Sequence, residues 1–161
     1  MLYLHLLLAC VVAALWASLE PVYWLVAFAA LYPLFRLVGL VNRASRLYAL
    51  RVEAGLTFVP WFTWQVFSAS VDVAKIVLSP RCRVEPAVVS VSIQTRDKRL
   101  ITLIGCLLTL TPGTLALDFS ARCGQMFVHV LDARSEEAIS AAVAEIERRL
   151  MRWVDPLGGR L

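Results

Sequence analysis

The rhythm of apolar positions changes three times along the chain, and each change marks a different kind of element. From Leu2 to Leu19 only His5 and Ser18 interrupt an apolar run, and from Pro21 to Val41 only Pro33, Arg36 and Gly39 interrupt a second. Each run approaches the ~20 residues that a helix needs to cross the hydrocarbon core of a bilayer. The link Ser18-Leu19-Glu20-Pro21 has room only for a tight hairpin. The pattern predicts a two-helix transmembrane hairpin over residues 1–41, with Trp16, Tyr23 and Trp24 at one membrane surface. Arg36 falls near the other end of the second helix, where a long side chain reaches water.

From Ala54 to Pro80 the rhythm is helical. Gln65, Ser68, Asp72, Lys75 and Ser79 step by 3, 4, 3 and 4, forming a single polar stripe among Trp61, Phe62, Trp64, Phe67, Val71 and Val73. At the bilayer centre Asp72 and Lys75 would each cost about 2.5 to 3.5 kcal/mol. Basic residues stand on both sides of the segment: Arg43, Arg46 and Arg51 before it, Arg81 and Arg83 after it. Residues 42–80 are therefore expected to hold a long amphipathic helix in the cytoplasmic interface, not a third span. Trp61, Trp64, Arg43 and Arg46 would anchor it at the surface, as Trp16 and Trp24 anchor the hairpin. Its polar stripe has two readings, toward water or toward the helices of another protein.

After Pro80 the period falls to two. Val89, Val91 and Ile93 alternate with Ser90, Ser92 and Gln94, a half-buried strand. Asp97 is placed to cap a helix from Lys98 to about Leu110, which is apolar nearly all round and so expected to be buried on more than one side. Leu115, Leu117 and Phe119 alternate in a second strand, and a turn at Arg122-Cys123-Gly124 leads to a third, Gln125 to Leu131. A closing helix starts at Ser135, with Glu136 and Glu137 in its first turn and Arg148, Arg149 and Arg152 in its last, charges that complement the helix dipole. Residues 81–161 thus read as a small cytoplasmic α+β domain of order β-α-β-β-α. Its first two strands are expected to be parallel through a right-handed crossover, and its second and third to form an antiparallel hairpin. At about 75 residues such a layer is marginal alone.

Between the first of these helices and the second strand stands "LTLTPGTLALDF". Pro112-Gly113 suits the two central positions of a type II turn, because proline fixes φ and glycine accepts positive φ. Thr109, Thr111 and Thr114 offer hydroxyls to free backbone groups there. The stretch reads either as a helix-to-strand turn or as a docking corner for another subunit.

Charge sharpens this division. Before Arg36 the only formally charged side chain is Glu20, although the whole chain is 17% charged and 60% hydrophobic with a net charge of +4; its mean hydropathy is +0.71. The arginines after the hairpin sit where cytoplasmic loops carry basic residues, so they argue membrane orientation and no nucleic-acid partner. Four cysteines and two histidines contain no C-x-x-C pair and no zinc spacing, so no metal or cofactor is expected. Walker A, G-x-G-x-x-G, H-E-x-x-H and G-x-S-x-G motifs are absent. Cys123 and His129 are close enough in sequence to suggest a thiol nucleophile, but His129 in "FVHVLD" reads as a hydrogen-bonded strand residue.

An apolar hairpin, then "WFTWQVFSASVDVAKIVLSP", "TLTPGTLALDF" and "VHVLD", then a closing helix resembles the E-type subunit of the multi-subunit Na+/H+ antiporters (Mrp, Mnh or Pha type) over essentially the whole chain. The resemblance implies an accessory subunit of a plasma-membrane assembly, with the other antiporter subunits and the lipid bilayer as partners and no catalytic centre of its own. It carries Thr111, Pro112, Gly113, Thr114, His129 and Asp132 as motif positions without an ion-handling role. Two other readings remain: a membrane-anchored regulatory or binding module outside an antiporter complex, and a membrane-tethered enzyme using Cys123 or His129.

Overall fold

The computed structural model describes residues 1–15, 21–80, 84–132 and 136–157, so Trp16, Arg81, Arg83 and Ser135 lie outside the described residues. The chain divides into two compact units, Met1–Ala54 and Gly55–Leu161. The division falls inside a helix, between Ala54 and Gly55.

The first unit holds α1 (Leu2–Leu15), α2 (Pro21–Val38) and the opening turns of α3 (Arg43–Leu78). Helices α1 and α2 meet through Ala9, Ala13 and Ala27, all fully buried. Small residues of this kind let two apolar helices approach closely where water supplies no driving force. Among the described residues α2 is the one helix long and apolar enough to cross a membrane; the described part of α1 is apolar but 14 residues long.

Two of the breaks in the apolar pattern, His5 and Arg36, have specific partners. His5 is fully buried and stacks on Phe28 at 4.0 Å and on Phe35 at 4.5 Å between centroids. Its Nε2 lies 2.9 Å from the Phe28 carbonyl and its Nδ1 2.6 Å from the Tyr48 hydroxyl. A carbonyl only accepts, so Nε2 carries a hydrogen. Arg36 does not simply reach for water: its guanidinium lies 2.9 Å from Glu53 of α3, whose carboxylate also accepts from Tyr32 at 2.7 Å.

The second unit comprises the rest of α3, β1 (Ala87–Ser92), α4 (Lys98–Leu110), β2 (Thr114–Ser120), β3 (Gln125–Val130) and α5 (Glu136–Val154). The order β-α-β-β-α is the one the periodicity predicts. The strand order is β1-β3-β2, with β3 antiparallel to both neighbours. The expected β2–β3 hairpin forms, closed at Gly124 with φ +64°. However, β1 and β2 are not paired with each other. They run in the same direction, but β3 inserts between them and puts both at the edges.

One face of the sheet, formed by Val89, Val91, Met126, Val128 and Val130, carries the core together with Leu100, Ile104 and Leu108 of α4 and Val143, Ile146 and Leu150 of α5. Phe58 and Phe62 of α3 belong to the same cluster. The opposite face is uncovered among the described residues of this unit. Expected burial of α4 on several sides is not observed: Leu100, Ile101, Ile104 and Leu108 are buried, while Leu103 and Leu110 on its other side are exposed. A bulge between Ala116 and Asp118 also splits the predicted apolar alternation of β2. Leu115 and Leu117 face outward, and Phe119 packs against the core, because one extra residue reverses which side the following side chains take.

Asp97 caps α4 as expected, accepting from the Arg99 amide at 2.8 Å. A cap of another kind comes from α5. Glu147 is 4% exposed, and its carboxylate accepts from the amides of Gln94 (2.9 Å) and Thr95 (2.7 Å) just beyond β1. Glu147→Ala should orphan two amides, each costing roughly 1–3 kcal/mol, and lower the denaturation midpoint of the purified chain in detergent. A midpoint equal to that of the unaltered chain would show that this carboxylate does not hold β1 to α5.

Candidate functional site

The sequence motifs converge at one end of the sheet. Helix α4 ends at Thr111, whose amide and hydroxyl both reach the last helical turn: the amide donates to Leu107 and Leu108, and Oγ1 donates to the Leu107 carbonyl at 3.0 Å. The Thr114 amide then donates back to the Thr111 carbonyl at 3.2 Å, with Gly113 between them at φ +90°. That is the type II turn expected of Pro112-Gly113. The Thr114 hydroxyl donates to the Leu108 carbonyl at 2.6 Å, and that of Thr109 to Gly105 at 2.9 Å. The Thr111 and Thr114 hydroxyls thus add a second bond to carbonyls that the Thr111 amide already reaches, and the Thr109 hydroxyl bonds back within the helix.

The corner is held from two sides. The Leu131 amide donates to the Gly113 carbonyl at 2.8 Å, while Thr114 and Leu115 stand opposite Val130 and His129 in the ladder. "TPGT" and "VHVLD" are therefore cross-strand neighbours. A Cβ on Gly113 would lie 3.3 Å from Val73 of α3, so the corner is also the seat of that helix. His129 is a residue of the paired strand β3, on the uncovered side of the sheet between Val88 and Leu115, and among the described residues its ring has no hydrogen-bond partner. Asp132 is half-buried, two residues past the end of β3. Cys123 is exposed in the turn before β3, whereas His129 lies four residues into the strand, about 14 Å beyond Gln125. The two do not form a nucleophilic pair.

Next to the corner is a cavity of about 310 Å³. Buried Leu108, Val128, Val143 and Ile146 form its floor, and Gln65, Ser68, Asp72, Thr111 and Thr114 supply its polar groups. Three members of the α3 stripe thus meet two of the motif threonines. Asp72 pairs with Lys75 at 2.8 Å on an exposed surface, where such a pair contributes about 0–1 kcal/mol. Ser79 lies beyond the end of α3. Among the described residues no group of three or more His, Cys, Asp or Glu is arranged to hold a metal ion.

The proposed surface anchors separate in the structure. Trp24 turns inward, its Nε1 donating to Cys10 Sγ at 3.1 Å and its ring stacking on Phe28. Trp61 packs against Phe58 and lies under the Arg149 guanidinium, 4.3 Å from its ring centroid. Trp64 is exposed, as are Arg43 and Arg46 at the start of α3.

A sequence profile of the Na+/H+ ion antiporter subunit family matches residues 3–153. The chain belongs to this family. It is 30% identical over 136 residues to the Na+/H+ antiporter E-type subunit of Alkalihalophilus pseudofirmus, covering 83% of this chain and 86% of that one. A chain of the membrane-bound sulfane sulfur reductase, an archaeal respiratory membrane complex, shares the fold: TM-score 0.53 at 21% identity, covering 90% of this chain and 98% of that one. A chain of the Mrp complex from Dietzia sp. DQ12-45-1b is 26% identical, with a TM-score of 0.46 over 60% of this chain and 92% of its own length.

Sequence reasoning missed three contacts in this antiporter subunit, each with a legible trace. Glu147 is a charge within an apolar stripe, and His5 a polar residue within an apolar run. Gly55 admits Trp153, whose indole lies 3.0 Å from where a Cβ would stand. For the corner, Gly113→Val should cost at least ~1 kcal/mol, from a β-branched residue at positive φ driven against Val73. Thr114→Val should cost about 0.5–1.5 kcal/mol, because it removes one hydrogen bond to the Leu108 carbonyl, which keeps the Thr111 amide. Denaturant titration of the purified variants measures both. Equal stability of Gly113→Val and the unaltered chain would mean that positive φ is not needed there.

Proposed function

We propose that the chain is an accessory subunit of a multi-subunit Na+/H+ antiporter in a bacterial plasma membrane. It contributes to assembly or coupling and does not carry the ion path alone. The observation that carries this reading is the family match over residues 3–153, almost the whole chain. In this reading α1 and α2 cross the membrane as a hairpin with both ends in the cytoplasm, α3 follows along the cytoplasmic surface, and the second unit is cytoplasmic. The apolar length of α2 and the arginines that follow it support that orientation. The uncovered sheet face supports a role in assembly. It presents Val88, Leu115 and Leu117, each more than 40% exposed, around His129.

Affinity purification of the tagged chain from its native membrane tests the assignment. Several hydrophobic antiporter subunits should be retained, and deleting the chain should remove Na+/H+ exchange from membrane vesicles. Recovery of a stable lone chain, with exchange intact in the deletion strain, would favour a free-standing regulatory module.

Orientation is read separately. Pro21→Cys should react with an impermeant thiol reagent added outside intact cells, while Arg46→Cys, Glu85→Cys and Glu136→Cys should not. Outside labelling of Glu85→Cys but not Arg46→Cys would make α3 a membrane span.

A further inference from the structure

Helix α3 has a face that none of the described residues of the second unit covers. Within the second unit, Gly55, Phe58 and Phe62 turn toward the core, and Gln65, Ser68 and Asp72 line the cavity beside it. On the remaining side Leu56, Pro60, Trp64, Phe67, Val71 and Leu78 recur at intervals of 4, 4, 3, 4 and 7, all exposed. Such spacing keeps them in one stripe, about 33 Å long at 1.5 Å per residue. These six side chains carry no charge, and Lys75, four residues after Val71, borders them. Leu56 is 69% exposed, Trp64 64% and Leu78 81%. A contiguous apolar surface of this length marks an interaction site.

We infer that this stripe rests on lipid, seating the second unit on the membrane with Trp64 and Phe67 at the level of the headgroups and upper acyl chains. The inference rests on the reading that α2 spans. Two observations select lipid over a helix of another subunit. First, the chain shows what its own helix contacts look like: α1 meets α2 through Ala9, Ala13 and Ala27, small residues that allow close approach. The α3 stripe is built almost wholly from large side chains, with rings of Trp64 and Phe67 5.8 Å apart. Large, loosely packed apolar groups beside Trp suit acyl chains and the interface. Second, α3 begins at Arg43, five residues after α2 ends at Val38. A helix that starts so soon after a span starts at the membrane surface, and one uncharged stripe with polar groups on its flank is the pattern of a helix lying in that surface. The same arrangement explains why Asp72 and Lys75 are tolerated: they flank the stripe and pair with each other in water.

Nitroxide labels test this in the full-length chain, with its native cysteines changed to serine, in the assembled antiporter in lipid nanodiscs. Phe67→Cys, Val71→Cys and Leu78→Cys should collide several-fold more with oxygen, which partitions into lipid, than with a water-soluble nickel chelate. Gln65→Cys on the flank should show the reverse. Preference for the nickel chelate at all positions would place the stripe in water and overturn the inference. Low collision with both reagents at Phe67 and Leu78 would mean that a protein subunit covers the stripe, and would overturn it as well. The same readings on the chain alone in nanodiscs separate this result from the antiporter assignment, which fails through loss of co-purifying subunits.

Discussion

Everything in the second unit depends on the insertion of two α3 phenylalanines into a core that the β-α-β-β-α layer cannot complete alone. Phe58 and Phe62 are 5% and 8% exposed, stack on each other, and join the cluster formed by the sheet, α4 and α5. Removing a buried phenylalanine side chain costs roughly 3–5 kcal/mol, a large fraction of the stability of a small domain. The segment that composition alone marks as membrane-associated is thus also part of a folded core. That is why the compact unit begins at Gly55, inside the helix, and not at the loop after Pro80.

This dual use gives each side of α3 a distinct composition. The core side needs a glycine at position 55, because the Trp153 indole lies where a side chain would go. The corner side needs Val73 to meet Gly113. The polar stripe borders the cavity, where bulky apolar residues would compete with the core for the same space. The apolar stripe on the remaining side has no structural demand placed on it by the chain itself, and its length and lack of charge are accounted for by contact with something apolar outside.

Much of this was legible beforehand because it depends on local chemistry. The α4 cap at Asp97, the Pro112-Gly113 turn, the Gly124 turn and the alternation of β1 each follow from a few adjacent residues. Features set by non-local partners were not legible. Pairing β1 with β3 instead of β2 involves residues some forty positions apart, and the periodicity of each strand is the same in either order. Outward placement of Leu115 and Leu117 depends on a bulge, which leaves no pattern of its own in the sequence. Trp24 and Trp61 look like surface anchors from composition, yet their neighbours, Cys10 and Phe28 in one case, Phe58 and Arg149 in the other, turn them inward.

The Thr111–Thr114 corner is also the place where these non-local contacts meet. Thr111 to Thr114 ends α4, begins β2, receives the β3 strand end through Leu131, and seats α3 through Gly113. A substitution there therefore acts on the core, on the sheet and on α3 at once. Loss of antiport after such a change would not by itself assign the corner a role in ion exchange, because the seat of α3 would be lost too. His129 offers the cleaner contrast. It stands opposite Leu115 in the same ladder, yet its ring lies on the uncovered face without a hydrogen-bond partner among the described residues. Changing it alters a surface and leaves the core contacts intact. The two halves of the motif, adjacent in space, thus separate what the fold requires from what the outer face of the sheet presents.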